Sequence, residues 1–576
     1  MDKQLFAGVA NSSKNKKIFI VFASILLVAA EIRIVDGVNS KTTNTQSNNI
    51  RASAAHTIVK SSCSITLHPD LCYSTLSSVP NMTEKVTSLN DVIELAIEKT
   101  KERVQKNHLV IKTLEARTNL TTREKFALHD CQEMLDDTLE ELDEVIGFLK
   151  TYPTEKRNRR HVDDMITYMS TTITNQDTCL DGFSHGKHER QLRESLIDVE
   201  INAQKMCSNV LALIKHLTNT DTVDQVKTNT RKLMNKDDEK WPEWLSAGDR
   251  RLLQSETVTP DVVVAADGSG DFTTISAAVE AATNRSSRRF VIGIAAGVYS
   301  EYVNVDNNKW NLMFVGSGLN STIITGNRNV AIDNYTTFNS ATVIAVGRGF
   351  LARDITFENT AGPEGHQAVA IRVGSDLSAF YRCNMLAFQD TLYVHSNRQF
   401  YVNCYIAGTV DFIFGNAEVI LQDCDIYARR PGPDQRRNWV TAQSRTDPNQ
   451  NTGIVIQKSR IGATSDLQPV QASIETYLGR PWRNFSRTVV MQSQISDVIH
   501  PAGWFRWSGA EVERDTTVYY GEYENAGDGA DTSNRVTWPG FRVITDATEA
   551  QGFTVENFLD GADWLGNTGF PFSLGL

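Results

Sequence analysis

The sequence lacks the features that mark several common protein classes. Only 8 of its 576 residues are cysteine, and these are sparse and clustered, which excludes a disulfide-dense mini-scaffold. The net charge of −11 provides no basic surface and argues against nucleic acid as a partner. Hydrophobic residues make up 40% and charged residues 22%, as in an ordinary globular protein that is long enough for two or more domains.

Two common hydrolytic motifs are also missing. No GxSxG sequence occurs, which excludes the nucleophile elbow of many serine esterases. The histidines His366, His395 and His500 do not have the spacing of metal ligands, which argues against metal-assisted hydrolysis. We therefore predict neither a metal nor another cofactor.

The amino end carries a short apolar run behind a cluster of positive charge. Three lysines lie within Lys14–Lys17, and the apolar residues Ile18–Ala30 follow. This run is short for a membrane span, which needs about 20 residues, so the pattern predicts a secretory signal within residues 1–37. An uncleaved signal anchor is the alternative, because Ile32–Val35 adds apolar length. Residues 38–53 are rich in Ser, Thr and Asn and are predicted to form a flexible linker.

Residues 54–236 have the apolar spacing of amphipathic helices. Apolar side chains recur three or four residues apart around Val92 and Leu95, and again around Leu139 and Leu142. This period predicts an all-α domain. The region shows no combination of residues that would support catalysis.

Five cysteines fall in this helical region. Cys63 and Cys72 are nine residues apart and could close a local loop, whereas Cys131 and Cys179 could tie two helices together. In an exported chain we predict that both pairs are disulfides. Metal binding is the alternative, although no histidine cluster accompanies them. Cys207 is left over and is predicted to be a buried thiol.

Beyond residue 254 the chain changes to short apolar runs separated by Gly, Asn and Asp, which is typical of strands and turns. Only one short helix is predicted, around Thr274–Thr283. Strands without long intervening helices exclude a doubly wound fold. Their irregular spacing near 20 residues favours a right-handed parallel β-helix over a sandwich, with the short helix capping its amino end. This domain is predicted to span 254–576.

Two aspartates in this region occupy equivalent positions of a repeat. Asp390 follows Cys383 by seven residues, and Asp411 follows Cys404 by seven residues. A third copy of the pattern starts at Cys424. Equivalent positions of a solenoid stack on neighbouring turns, about 4.8 Å apart, so both carboxylates could act on one substrate group. The alternative is a pair of solvated turn aspartates.

The segment between the two domains, residues 237–253, is polar and ends in the sequence RRLL. Its dibasic pair Arg250 and Arg251 is followed by Leu252 and Leu253. A dibasic site in an exposed linker is a good protease target, so we predict a processing linker here. An ordinary solvated charge run is the alternative.

Several motifs of the second domain strongly resemble those of plant pectin methylesterases. They are GVYSE from Gly297, HQAVAIR from His366, QDTLY from Gln389, DFIFG from Asp411, LGRPW from Leu478 and the closing PFSLGL. The resemblance runs through essentially all of 254–576. In the first domain, CSITLHPDLC, ALHDC and TCLDGF resemble the pectin methylesterase inhibitor family, a four-helix bundle. The whole chain is therefore similar to the precursor form of the esterase family.

The resemblance implies roles that agree with physical reasoning. Arg480 beside Asp411 would keep that carboxylate ionised and aimed as the nucleophile. Asp390 would then hold the proton as general acid and later act as base. Gln367 and Gln389 are neutral amide donors that suit a tetrahedral oxyanion.

Substrate contacts are predicted from aromatic residues near this pair. Tyr393 and Phe414 each follow an aspartate by three residues, and with Trp482 they could form an apolar floor for sugar rings. Core packing is the alternative for Tyr393 and Phe414. Thr337 matches a substrate-contacting position of the family, and Arg480 is also expected to face the substrate. Arg353 and Arg372 are interpreted as structural.

Three functional hypotheses follow. The leading one is hydrolysis of methyl esters of pectin in the cell wall, or apoplast, by a secreted enzyme whose first domain inhibits it or assists its folding. A pectin glycosidase or lyase on the same fold is the second, and an inhibitor of esterases with no catalytic role is the third. The expected partners are methylated pectin, a processing protease and, as a further option, separate inhibitor proteins. Six asparagines stand in N-glycosylation sequences: Asn81, Asn119, Asn284, Asn320, Asn334 and Asn484.

Overall fold

The computed structural model describes residues 44–152, 158–183, 187–226, 258–507 and 514–576. The predicted signal at 1–37 and the RRLL sequence of the predicted linker at 237–253 lie outside these ranges. Within them the chain forms a helical part followed by a part built of short strands.

Within the described ranges the helical part contains seven helices, and the last four are long and form a bundle. The helices are α1 (Asn44–Cys63), α2 (Pro69–Ser77), α3 (Met82–Lys85), α4 (Leu89–Glu115), α5 (Thr122–Thr151), α6 (Asn158–Asp181) and α7 (Lys187–Val226). Helix α1 begins inside residues 38–53. It therefore covers part of the segment that is predicted to be a flexible linker. Ala55 and Val59 anchor this helix in the bundle core, and each added turn then extends it at little cost.

Local capping fixes where two of the long helices begin. Ser88 accepts a hydrogen bond from the backbone N–H of Asp91, whose carboxylate in turn accepts from the backbone N–H of Ser88. Thr121 and Glu124 form the same reciprocal pair at the start of α5. Each pair satisfies two backbone donors that a helix leaves without partners.

The predicted disulfides of the helical part are confirmed. Cys63 pairs with Cys72 across a Cα–Cα distance of 5.5 Å, and Cys131 on α5 pairs with Cys179 on α6 across 4.4 Å. Cys207 is a buried thiol, as predicted.

The second part consists of 26 short strands that pair only in parallel. They are β1 (Val262–Val264), β2 (Phe290–Ile294), β3 (Gly297–Ser300), β4 (Val303–Val305), β5 (Leu312–Gly316), β6 (Thr322–Gly326), β7 (Val343–Ala345), β8 (Leu351–Arg353), β9 (Thr356–Asn359), β10 (Ile371–Val373), β11 (Ser378–Tyr381), β12 (Asn384–Leu386), β13 (Leu392–Val394), β14 (Arg398–Val402), β15 (Tyr405–Gly408), β16 (Ile413–Gly415), β17 (Glu418–Gln422), β18 (Asp425–Ala428), β19 (Arg437–Gln443), β20 (Gly453–Gln457), β21 (Arg460–Ala463), β22 (Glu475–Gly479), β23 (Arg487–Met491), β24 (Gln494–Ile495), β25 (Tyr519–Tyr523) and β26 (Phe541–Val543).

These strands form three sheets that wind around one core. The 11-stranded sheet has the order β1-β2-β5-β8-β11-β14-β17-β20-β23-β25-β26, the 7-stranded sheet β22-β19-β16-β13-β10-β7-β4, and the 8-stranded sheet β24-β21-β18-β15-β12-β9-β6-β3. Successive strands pass from one sheet to the next and return one turn further along. The predicted right-handed parallel β-helix is confirmed.

The cysteine repeat marks one corner of this coil. Asn384 pairs in register with Tyr405, which pairs with Asp425, so the preceding residues Cys383, Cys404 and Cys424 stack. All three are buried free thiols. The residue before each cysteine adopts a left-handed backbone, with φ of 48° to 53°, which turns the chain sharply from one sheet into the next.

A short helix closes the amino end of the coil, as predicted. Helix α8 (Ile275–Ala281) buries Ile275 and Ala278 against the first strands. The carboxylate of Glu301 accepts hydrogen bonds from the backbone N–H groups of Ile275 and Ser276 at 2.8 and 3.0 Å. The motif GVYSE, which ends in Glu301, therefore holds the cap in place.

Three further short helices follow in the carboxyl-terminal region. They are α9 (Arg514–Thr517), α10 (Ala547–Gln551) and α11 (Val555–Phe558). Phe553, Val555 and Phe558 pack on the outer face of the 11-stranded sheet. The 7-stranded sheet is instead covered by the helical part of the chain.

Candidate active site

The two aspartates lie on neighbouring turns of the coil, at the edge of the 7-stranded sheet. Leu392 pairs with Ile413, so Asp390 and Asp411, each two residues earlier, occupy equivalent positions. Both have a left-handed backbone, with φ of 63° and 51°. A non-glycine residue in this conformation stores strain, and such residues cluster at functional sites.

A guanidinium group holds one of the two carboxylates. Arg480 donates from Nε and Nη2 to the two oxygens of Asp411 at 2.8 and 2.6 Å. The guanidinium carbon lies 3.9 Å from the ring centroid of Trp439 and 4.2 Å from that of Trp507. Arg480 is thus packed between two indoles, which fix the direction in which Asp411 is held.

The two carboxyl groups have different protonation tendencies. Burial, followed by the charge of Asp411, raises the pKa of Asp390 well above its usual range, and Arg480 opposes this only in part. Burial also raises the pKa of Asp411, but the charge and hydrogen bonds of Arg480 counteract it directly. A single proton on the pair is therefore favoured on Asp390 over Asp411.

The two predicted glutamines lie beside this pair. Gln367 and Gln389 form a parallel bridge between neighbouring turns, and the backbone N–H of Ala368 donates to the carbonyl of Gln389 at 3.2 Å. Gln389 directly precedes Asp390. Both side chains line the same cavity as the aspartates.

Aromatic residues form the floor of this cavity. Tyr393 and Phe414 stack with ring centroids 4.2 Å apart, and Trp482 lies 6.1 Å from Phe414. Two residues that the sequence reasoning missed complete this floor. Phe338 meets Tyr393 edge-on at 6.5 Å, and Trp507 stacks on Trp482 at 6.4 Å.

The cavity measures about 740 Å³ and brings together all nine residues predicted for catalysis and substrate binding. They are Thr337, Gln367, Gln389, Asp390, Tyr393, Asp411, Phe414, Arg480 and Trp482. Phe338 directly follows Thr337 and could have been noticed in that motif. Trp507 lies in no recognisable repeat, so no local signal pointed to it.

The helical part closes the cavity from above. Asp177, Thr178, Asp181 and Phe183 of the helical part line it. Met134 of α5 packs among Phe338, Tyr393 and Phe414 on the aromatic floor. The sequence did not predict these contacts, because nothing in a helix pattern indicates which face meets another domain.

Most of the contacts between the two parts are polar. Thr171 of α6 donates to Asn397 at 2.9 Å, Asn416 donates to Thr174 at 2.8 Å, and Gln450 donates to the backbone carbonyl of Ser170 at 2.9 Å. These hydrogen bonds fasten α6 to the β-helix.

The aromatic residues and the closing helices place the site in a covered groove. Residues of the helical part and of the β-helix together line this groove.

In the described ranges, no helix combines the length and the apolar character that a membrane crossing needs.

Comparisons with known proteins match both parts of the chain. The Pectinesterase family model matches residues 261–562, and the Plant invertase/pectin methylesterase inhibitor family model matches residues 57–213. Pectinesterase 1 of Citrus sinensis is 57% identical over 587 residues, covering 100% of this chain and 99% of its own. Pectinesterase/pectinesterase inhibitor U1 of Solanum lycopersicum is 58% identical over 572 residues, covering 98% and 97%.

The second part of the chain also resembles a solved structure. Pectin methylesterase from carrot superposes with a TM-score of 0.55 and 70% identity, covering 56% of this chain and 100% of its own. The pectinesterase of Daucus carota is likewise 71% identical over 323 residues, which is its full length. These relatives consist of the counterpart of the β-helix alone.

Proposed function

The chain belongs to the pectinesterase family and carries an inhibitor-family domain ahead of the enzyme, and from that premise we propose how it works. The enzyme hydrolyses galacturonate methyl esters of pectin with Asp411 as nucleophile, Asp390 as general acid and base, and Gln367 and Gln389 as oxyanion donors. The observation that carries the assignment is that Arg480 donates two hydrogen bonds to the carboxylate of Asp411, next to a buried Asp390.

The first half-reaction forms an acyl-enzyme. An oxygen of Asp411 attacks the ester carbonyl carbon, and the electron pair of the carbonyl bond moves onto its oxygen. The amide N–H groups of Gln367 and Gln389 stabilise that negative charge. When the tetrahedral species collapses, the bond to the methoxy group breaks. Asp390 donates its proton to the departing oxygen, which leaves as methanol.

The second half-reaction restores the enzyme. Asp390, now ionised, takes a proton from water, and the resulting hydroxide attacks the same carbonyl carbon. The bond to Asp411 breaks, which leaves an ionised Asp411 and a galacturonic acid group that releases its proton to solvent and becomes a carboxylate. Arg480 stabilises Asp411 as a leaving group here, for the same reason that it keeps the free carboxylate ionised.

The aromatic floor supplies the binding surface. Sugar rings present apolar C–H faces that stack on aromatic side chains, and Phe338, Tyr393, Phe414 and Trp482 offer such faces within one groove. Thr337 lines the same groove and can bond a sugar hydroxyl.

We assign an inhibitory role to the helical part. Residues of α6 line the cavity, and Met134 of α5 packs on the aromatic floor that we assign to sugar rings. A tether of a few tens of residues keeps the inhibitor near the site at an effective concentration on the order of millimolar. Release then requires cleavage near Leu253 by a processing protease, and we place the active enzyme in the cell wall.

Comparing the two forms of the enzyme tests this proposal. The first is residues 254–576, and the second is the full chain with Arg250 and Arg251 changed to Ala, so that it stays uncleaved. The β-helix buries its own core, formed only by residues from Val264 onward, and the carrot relatives consist of this half alone, so it is expected to fold by itself. We expect methanol release from methylated pectin by the isolated half and strongly reduced release by the uncleaved chain. Equal activity of both would refute the inhibitory role, and an inactive but folded isolated half would refute the assigned chemistry.

A further inference from the structure

Helix α5 presents a row of carboxylates along one face. Five acidic residues recur at alternating intervals of three and four: Asp130, Glu133, Asp137, Glu140 and Glu144. Positions spaced in this way share one side of a helix. The mean interval of 3.5 residues places a carboxylate about every 5 Å along the axis. A linear array of carboxylates at this spacing has the chemical character of a de-esterified galacturonan chain, which bears one carboxylate on each sugar.

This acidic row of α5 faces the groove of the enzyme. Asp130 accepts hydrogen bonds from Thr336 at 2.5 Å and from Asn339. Glu133 accepts from Arg372 at 2.9 Å. Towards the other end of the row, Asp137 accepts a hydrogen bond from Asn307 at 3.0 Å. Glu140 accepts from Asn307 at 2.9 Å and from Arg285 at 2.5 Å.

Arg372 stands at one end of the aromatic floor. It pairs in register with Tyr393, and its guanidinium carbon lies 3.3 Å from the ring centroid of Phe338. The side chain is only 1% exposed, yet in the described part of the chain its Nε has no hydrogen-bond partner. The carboxylate that pairs with it, Glu133, comes from the helical part.

Arg483 stands at the other end of the floor and follows the same pattern. Its guanidinium carbon lies 5.0 Å from the ring centroid of Trp482. It donates from Nε to Asp177 at 2.8 Å and from Nη2 to Asp181 at 2.5 Å, and both acids belong to α6.

Several other arginines of the β-helix differ in this respect, although Arg285 also pairs with an acid of the helical part, Glu140. Arg353 pairs with the adjacent Asp354 at 2.7 Å, and Arg535 pairs with Glu522 at 2.8 Å. Arg460 likewise pairs with Asp425. Each of these arginines has a carboxylate from the enzyme itself, whereas Arg372 and Arg483 are paired with acids of the inhibitor domain. When the helical part leaves, these two cations are left facing the groove.

We propose that Arg372 and Arg483 bind the carboxylates of de-esterified galacturonate residues on either side of the reacting methyl ester. Glu133 of α5, with Asp177 and Asp181 of α6, imitates those carboxylates while the helical part is docked. The inference rests on the proposed function, which places pectin in this groove. Binding by these two arginines makes the released enzyme prefer pectin that is already partly de-esterified. The inhibitor domain and de-esterified substrate then compete for the same two cations.

Calorimetric titration of residues 254–576 with an unesterified oligogalacturonate tests the inference without requiring turnover. Arg372→Gln and Arg483→Gln should each weaken binding about tenfold, since each removes a charge-assisted hydrogen bond to a carboxylate. Binding of the fully methyl-esterified oligomer is measured with Asp411→Asn added to every protein, so that the ester is not hydrolysed, and it should stay within about twofold of the value for Asp411→Asn alone. Arg353→Gln is the matched control and should leave both affinities unchanged, because Arg353 lies on the 11-stranded sheet.

A loss of folding is separated from a loss of binding by two measures. Melting curves report the fold of each variant, and Arg372→Lys keeps the positive charge, so it should retain most of the affinity for the unesterified oligomer. If both glutamine variants bind the unesterified oligomer as tightly as the wild type, or if they lose both oligomers equally, the inference is wrong. Methanol release by the wild-type half tests the proposed function separately, so the two can fail independently.

Discussion

The docking of the helical part should depend steeply on pH, because Asp130 of the acidic row is buried against the enzyme and Asp137 is half-buried there. Burial raises the pKa of Asp130 to about 8, with Glu133 adding to the rise while the hydrogen bond from Thr336 and the charge of Arg372 oppose it. Burial likewise raises the pKa of Asp137 to about 8, with Glu133 again adding and Arg372 opposing. Asp130 contacts Thr336 and Asn339 of the β-helix, and Asp137 contacts Asn307, so undocking exposes both carboxyls to water.

The direction in which pH changes the strength of docking follows from the upward pKa shifts of the two carboxyls. Both carboxyls are protonated when docked and regain their ordinary pKa of 3.8 when undocked. Docking therefore takes up protons, is most stable below about pH 4 and weakens as the pH rises towards 8. Between those limits each carboxyl contributes about 1.4 kcal/mol per pH unit, so the two together weaken docking by up to about 2.8 kcal/mol, or 100-fold, per unit.

Methanol release by the uncleaved chain measures this effect. The full chain with Arg250 and Arg251 changed to Ala is assayed between about pH 5 and 7.5, and each rate is divided by that of residues 254–576 at the same pH. The ratio cancels the pH dependence of catalysis itself. It should rise by ten- to 100-fold per pH unit until docking is lost, and changing Asp130 and Asp137 to Asn should flatten the rise. A ratio that stays level or falls with pH would refute the reasoning.

Three further perturbations have definite expected outcomes. Gln389→Ala should lower kcat about 100-fold or more, as the loss of an oxyanion donor does, while the affinity for de-esterified product stays unchanged; a change in affinity alone would make Gln389 a binding residue. Met134→Ala should raise the activity of the uncleaved chain at least tenfold, because the apolar contact with the aromatic floor is lost, and the activity of the isolated half cannot respond to this change. Amino-terminal sequencing of the mature protein should begin near Gln254, and Arg250→Ala with Arg251→Ala should abolish that product; a mature chain that begins elsewhere would contradict the assigned cleavage site.

Much of the enzyme half was predictable because its repeat is visible in the chain. The equal offsets from Cys383 to Asp390 and from Cys404 to Asp411 are set by one turn of the coil, so the stacking of the two aspartates follows from the spacing alone. The pairing of Arg480 with Asp411 joins residues 69 positions apart and follows no period. The family resemblance, and not the spacing, suggested that contact.

Other features could not be predicted from local pattern. Arg372 lies in strand β10 between Ile371 and Val373, which are in the core. Alternation along the strand turns Arg372 to the opposite face, over the groove. The acidic row of α5 has the pattern of an ordinary solvated helix face, and only the docking of the two parts shows that it is covered.

Replacement of the proposed nucleophile tests the central assignment most directly. Asp411→Asn suits this purpose better than Ala, because Asn tolerates the left-handed backbone at this position. Asp425→Asn is the matched control, since Asp425 also makes a paired contact with an arginine, Arg460, but lies on the 8-stranded sheet outside the cavity. In residues 254–576, we predict that Asp411→Asn abolishes methanol release with an unchanged melting curve, and that Asp425→Asn retains it. Near-normal methanol release by folded Asp411→Asn would contradict the account.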